Sequence, residues 1–206
     1  MKTTKKALLL TVCALVLVVA TVMGTMAYLT SADKVENTFT VGNLFIQLDE
    51  AKTNELGEPV EGAARVKSND YKLMPGQAYV KDPTVRVMNG SEACYVYVTV
   101  DNQLVGLIGD LEDQIVTANE WIKFTDKNDA TVYYKAVDAV PAIKKPGDPI
   151  ALELPVFSGF TVDSEVTGPQ ISEYEAAQII VNAYAIQQLN VGNAVDAWNA
   201  NFADLT

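Results

Sequence analysis

Apolar and polar positions alternate along most of the chain with the period of two that a half-buried β-strand needs, and turn-forming residues separate the runs. The stretch "NTFTVGNLFIQLDE" sets Phe39, Val41, Asn43, Phe45 and Gln47 on one side and Thr40, Gly42, Leu44, Ile46 and Leu48 on the other, which predicts a strand. The polar run "AKTNELGEPVEGAARVKSND" then predicts a long loop, with a small hairpin about Leu56-Gly57. Pro75-Gly76 marks a turn before "AYVKDPTVRVM", a predicted strand in which Pro83 implies a sheet edge or a bulge. Asn89-Gly90 is the strongest short hairpin signal. It leads into "ACYVYVTVD", a nearly continuous apolar strand suited to the centre of a sandwich.

Farther along, "NQLVGLIGDLEDQIV" spaces Leu104, Leu107, Ile108 and Leu111 as a short helix would. "EWIKFTD" and "TVYYKAVDAV" predict two strands about the polar turn "DKND". "KKPGDP" is a further turn, and "IALELPVFSGFTV" is extended, with Pro155 again implying an edge or a bulge. "AAQIIVNAYAIQQLN" is ambiguous: its alanines and glutamines favour helix, its strict alternation favours strand. Strand is the expectation, because the rest of the chain is β. "NAVDAWNANF" predicts a short terminal helix with Val195, Trp198 and Phe202 on one face. Roughly eight strands with turns between them indicate an all-β chain, an antiparallel β-sandwich with Greek-key or jelly-roll connections and short helices.

The first 27 residues break this pattern. Lys2, Lys5 and Lys6 precede an apolar run from Ala7 to Met23, and the small residues Gly24, Thr25 and Ala27 follow. This is the order of a secretory signal peptide over residues 1–27, with cleavage between Ala27 and Tyr28, leaving residues 28–206 as one secreted domain. An uncleaved membrane anchor is the alternative, although about 17 apolar residues is the lower limit for spanning. Cys13 lies within the apolar run and does not fit a lipoprotein signal.

Charge and composition narrow the function. Three of the 15 basic residues lie in the leader, leaving 12 against 26 acidic residues, a net of −14 on the mature chain. Such a surface repels a phosphate backbone, so no nucleic-acid partner is expected. The chain has no histidine, which excludes Ser-His-Asp, Cys-His and His-Glu-x-x-His chemistries. Beyond the leader only Cys94 remains; no internal disulfide can form, and burial in a strand is its expected fate.

Other groups carry weaker chemistry. Glu112-Asp113 and Glu173/Glu175 read as solvated carboxylates, Lys144 and Lys145 as a solubilising loop. Asp126, Asn128 and Asp129 could hold a cation but lack the glycine and final glutamate of an EF-hand loop, so a turn is expected. Tyr95, Tyr97, Tyr133 and Tyr134 could stack on carbohydrate, but cross-strand packing is the expectation. No catalytic residue, metal site or cofactor is predicted.

Two stretches carry a resemblance. Gly24, Thr25, Ala27 and Tyr28, followed by Phe39, Thr40, Gly42, Asn43 and Leu44, resemble the leader and junction of Gram-positive exported proteins cut by the dedicated signal peptidase SipW. Leu73, Pro75, Gly76, Gln77, Lys81 and Asp82, with Asn89-Gly90-Ser91 after them, resemble a conserved segment of the TasA/CalY (camelysin) family. The resemblance covers about a third of the chain and does not extend past Asp101. It implies a secreted jelly-roll-like sandwich that builds fibres of the biofilm matrix. It also implies assembly by donor-strand complementation, in which the freed N-terminal segment of one subunit fills a gap in the next. The metalloprotease activity attributed to camelysins is not carried over, since the chain offers no histidine.

Strand exchange has a physical basis. A sandwich short of one strand exposes unpaired backbone groups and an apolar groove, and a neighbour's strand satisfies both. Head-to-tail exchange does not close and gives filaments. The candidate donor is residues 28–48, with Leu29, Val35, Phe39, Val41, Leu44 and Ile46 as its apolar positions. The plainer expectation is that the strand ending at Leu48 pairs within its own chain. A fibre subunit would have itself as partner, with signal peptidase during export and other matrix proteins or polysaccharide as further partners. A monomeric surface-binding module is the alternative function.

Overall fold

A computed structural model describes residues 43–142 and 151–205. Among these residues nine strands form three antiparallel sheets. The first sheet has the order β1-β3-β7, from β1 (Ile46–Asp49), β3 (Thr84–Met88) and β7 (Ala151–Pro155). The second has the order β5-β6-β4-β9, from β4 (Cys94–Asn102), β5 (Ile122–Thr125), β6 (Thr131–Val137) and β9 (Ile179–Gln187). β2 (Ala78–Val80) and β8 (Gly159–Thr161) form a separate two-stranded ladder. The helices are short: α1 (Gly168–Ser172), α2 (Ala194–Asn201), a π-turn at Gln114–Ala118 and a 3-10 turn at Ala203–Leu205.

The mainly β sandwich expected from the alternation is what the chain adopts. Ile46, Val87 and Leu152 share one row of the first sheet, and Leu48, Val85 and Leu154 the next. Ile46, Leu48, Val85, Val87 and Leu154 meet Cys94, Val96, Val98, Tyr133 and Val137 of the second sheet in one core, while Leu152 at the sheet edge is exposed. The opposite face of the second sheet is covered as well, by α2. Tyr97, Val132, Ala194, Trp198 and Ala203 form a second buried cluster there. This double cover explains the almost unbroken apolar run of β4: its even positions fill the sandwich, while Tyr95 and Tyr97 face the helix. The four tyrosines singled out by sequence are packing residues. Tyr97 and Tyr133 are buried, and Tyr95 and Tyr134 are half-buried among the rings beneath α2.

Several expectations hold in detail. β9 is a strand, the helix begins at Ala194 and buries Trp198, and β5 and β6 flank the "DKND" turn. A small hairpin turns at Leu56-Gly57, with Asn54 and Val60 amides donating to the Glu58 and Lys52 carbonyls at 2.9 and 2.8 Å. β7, with Pro155, is a sheet edge. Cys94 is fully buried, and burial pushes its thiol up to about 11.

Three expectations need correction. Asn89-Gly90 does form a turn, with Gly90 at φ +84°, but the strands it joins lie in different sheets. It is a crossover from β3 to β4 and not a hairpin. "AYVKDPTVRVM" is two strands, because the chain leaves the β2 ladder at Lys81-Asp82-Pro83 and enters the first sheet at Thr84. Proline, which has no N–H, sits where the pairing partner changes. The helix expected over Leu104–Leu111 is a series of turns, followed by the π-turn; Leu104, Leu107, Leu111 and Ile115 still plug the core. Helical spacing recorded burial there and not the backbone.

Candidate functional site

β1 and β9 are the outer strands of their sheets, on the same side of the sandwich. β9 pairs with β4 along its whole length, from Ile179↔Asn102 to Gln187↔Cys94, and its other edge carries no strand among the described residues. Every second residue of such an edge turns its N–H and C=O outward. Among the described residues the outer edge of β1 is engaged near its end, where Glu50 and Val66 exchange backbone hydrogen bonds at 2.9 and 2.8 Å and Lys67 Nζ donates to the Leu48 carbonyl.

Between these strands runs a groove of about 1110 Å³. Leu48, Leu73, Phe160, Ile171, Ile179 and Val181 supply its apolar wall. Most of these residues are only half-buried, whereas Val85, Val87, Val96 and Val98 on the central strands are fully buried. Among the described residues the core is thus sealed at its middle and less covered at the β1–β9 side.

One end of the groove is held by ion pairs between side chains. Arg65 reaches from the long loop to the Asp49 carboxylate and donates to Asp82 Oδ2 at 2.9 Å. Its second terminal nitrogen donates to the Asp49 and Asp82 carbonyls at 3.1 and 2.9 Å and to Thr84 Oγ1 at 3.1 Å. Arg86 joins Asp49 at 3.5 Å and Glu153 at 3.0 Å. Lys81 donates to Glu50 at 2.7 Å, and Asn69 donates to the other oxygen of Glu50 at 3.0 Å. Asp49 and Glu50 are buried, so this set of partners is what allows two carboxylates beneath a loop.

The residues of the Leu-Met-Pro-Gly stretch shape the same region. Gly76 at φ +73° takes the left-handed position of the turn, closed by the Gln77 amide donating to the Met74 carbonyl at 3.2 Å. Leu73 packs on the main core and Pro75 is exposed. Lys81 and Asp82 belong to the ion network, where Asp82 also accepts from the Ala51 amide at 2.6 Å. Tyr71 links loop and ladder: its hydroxyl donates to the Val80 carbonyl at 2.9 Å, and burial pushes its phenol up to about 12.

Leu44 and Ile46, expected in a donor strand, pack against the core of their own chain. Ile46 pairs with Val87, and the Asn43 and Phe45 carbonyls accept from the Glu92 and Met88 amides at 2.9 Å each. Gly24, Thr25, Ala27, Tyr28, Leu29, Val35, Phe39 and Val41 lie outside the described residues, as do Lys144 and Lys145. Glu112 pairs with Lys123 at 2.5 Å, and Glu173 and Glu175 are exposed. Sequence reasoning missed Asp49, Glu50, Arg65 and Asn69. One signal was available: Arg65 and Arg86 are the only arginines in the chain, and both bind Asp49.

In comparisons with known proteins, no family model, no curated protein and no solved structure matches this chain.

Proposed function

We propose that the chain is a secreted structural subunit, not an enzyme, that polymerises by receiving a strand from a neighbouring copy in the β1–β9 groove. The observation that carries this reading is the pairing of an open β9 edge with half-buried apolar side chains along one groove. A neighbour's strand would supply backbone partners to the edge and cover the apolar wall together. β9 has nine residues and spans roughly 30 Å, so it accommodates about nine residues of a donor.

The in-chain pairing of β1 supports ending that donor before Asn43. Leu44 and Ile46 stay at home, and the segment handed on is residues 28–42, with Leu29, Val35, Phe39 and Val41 as its apolar positions. Cutting between Ala27 and Tyr28 would free it from the leader, making signal peptidase the switch for assembly. The resemblance of the leader, the Pro-Gly turn and Lys81-Asp82 to the TasA/CalY family supports the same reading. It also favours an extracellular-matrix location, with other matrix proteins or polysaccharide as companions.

Electron microscopy of two purified proteins, Tyr28–Thr206 and Asn43–Thr206, at equal concentration tests it. Filaments are expected from the longer protein only. Folded monomers from both would overturn self-driven assembly and leave a monomeric surface-binding module as the reading.

A further inference from the structure

We propose that Lys81 and Asn69 become joined by an isopeptide bond in the folded chain, with Glu50 as the proton-transfer group. Three chain segments bring an amine, a carboxamide and a carboxylate together. Glu50 follows β1, Asn69 lies on the long loop, and Lys81 follows β2. Glu50 Oε2 accepts from Lys81 Nζ at 2.7 Å and Glu50 Oε1 accepts from Asn69 Nδ2 at 3.0 Å, so one carboxylate holds both reacting groups. The Glu50 side chain is 5% exposed and that of Lys81 13%.

The remaining contacts suit acyl transfer. Asn69 Oδ1 accepts from the Thr53 backbone amide at 2.9 Å, a fixed donor at the oxygen where negative charge would develop. Asn69 Nδ2 also donates to the Ala51 carbonyl at 2.8 Å, which fixes the plane of the amide. A simple ion pair between Lys81 and Glu50 would require none of this. Through Glu50 the amine and the carboxamide are gathered at one carboxylate before any reaction, which lowers the entropic cost of bringing them together.

The chemistry balances without a co-reactant. Glu50 takes a proton from the Lys81 ammonium, and the freed Nζ lone pair attacks Asn69 Cγ. The carbonyl π electrons move to Oδ1, held by the Thr53 amide. Glu50 passes its proton to Nδ2 and accepts the second proton from Nζ. The carbonyl re-forms, the Cγ–Nδ2 bond breaks, and ammonia leaves carrying the last proton as ammonium. The products are a secondary amide between Nζ and Cγ, ammonium, and an unchanged Glu50 carboxylate. The bond would fasten the long loop to the β2–β3 link, in a chain whose single described cysteine is buried and cannot form a disulfide.

Tryptic peptide mapping of the denatured wild-type protein tests the proposal. The expected product is a branched peptide of Ser68–Lys72 joined to Leu73–Arg86, lighter than the two together by one ammonia, with cleavage after Lys81 lost. Intact mass is not the readout, because a succinimide at Asn89-Gly90 would lose ammonia as well. N69A and E50Q should each restore the free peptides Ser68–Lys72 and Leu73–Lys81. Free peptides in full yield from the wild-type protein would overturn the bond, and this arm holds even if the variants fold poorly. A branched peptide persisting in E50Q would overturn the role of Glu50.

Discussion

The indole N–H of Trp198 donates to Asp126 Oδ2 at 3.0 Å, joining α2 to the β5–β6 turn across 72 residues of chain. The other carboxylate oxygen of Asp126 accepts from the Asn128 and Ala130 amides at 2.8 and 2.9 Å. The "DKND" stretch therefore serves as a turn and as an anchor for the helix. Burial pushes the Asp126 carboxyl upward. The Trp198 and backbone donors outweigh that, and the group is held below the usual carboxylate range.

The sign of this shift makes the anchor sensitive to acid. A carboxyl lowered in the folded state stabilises the fold above its unfolded value, roughly 4, and that contribution is lost as pH falls through the folded value. The Asp126→Asn variant should lose about 1–3 kcal/mol at pH 7 and show a flatter stability profile between pH 5 and about 2. Truncating the partner, Trp198→Ala, removes a fully buried side chain and should cost about 3–5 kcal/mol. Urea midpoints across this pH range check both, and a D126N profile as steep as wild type would refute the assignment.

Tyr79 is clamped by two glycines. A Cβ on Gly159 would lie 2.3 Å from the Tyr79 carbonyl oxygen, and one on Gly57 2.7 Å from the Tyr79 Cα. Both atoms are backbone and cannot swing away. Gly57 also sits at φ +78°, where a side chain is strained. Gly159→Ala should therefore destabilise by about 1–3 kcal/mol through displacement of the β2–β8 ladder. Gly90→Ala serves as the comparison: it has a positive φ, +84°, as Gly57 does and Gly159 does not, but its Cβ would meet nothing within 4 Å. If denaturant unfolding shows G159A no weaker than G90A, the clamp is not a constraint.

How much of this was legible follows from where the information resides. β9 could be read from alternation, because Ile179, Val181, Ala183 and Ala185 face the sandwich and Tyr184 and Ile186 face α2. The double-sided burial of β4 was visible as an unbroken apolar run. By contrast, a turn such as Asn89-Gly90 specifies local backbone geometry and leaves open whether its flanking strands pair; the partners of β3 are β1 and β7, fixed by distant sequence. The groove depends on which strands become edges, which no local pattern encodes. The contacts of Arg65 with Asp49 of β1 and of Asn69 with Glu50 just after it cross 16 to 19 residues of irregular loop, where no periodicity marks a side chain as buried.

Cys94 should be chemically silent in the native protein. Its side chain is fully buried, and a thiol pushed up to about 11 by burial carries very little thiolate at neutral pH. In Tyr28–Thr206, iodoacetamide at pH 8 should modify Cys94 only after denaturant is added, as read by mass spectrometry. Fast labelling of the folded protein would mean that the β4 core opens readily.

The groove reading predicts a separation of folding from assembly. Val181 is half-buried on the inward face of β9 and lines the groove, while its partner Val100 lies on the covered strand β4. A lysine at 181 can run its methylenes along the apolar wall and bring its ammonium into the groove mouth, so the cost to the monomer should stay near 1–2 kcal/mol. The same charge would be buried by an incoming strand, which a filament interface does not tolerate without a partner. Val181→Lys in Tyr28–Thr206 should therefore yield folded monomers, with wild-type far-UV circular dichroism, under conditions where the parent protein forms filaments. Lysine on the outward face at the neighbouring Asn182, which is exposed and does not line the groove, should leave filaments intact. Filaments from V181K at the wild-type level would remove the β1–β9 groove from the assembly interface, and their loss in N182K alone would place that interface on the opposite face of β9.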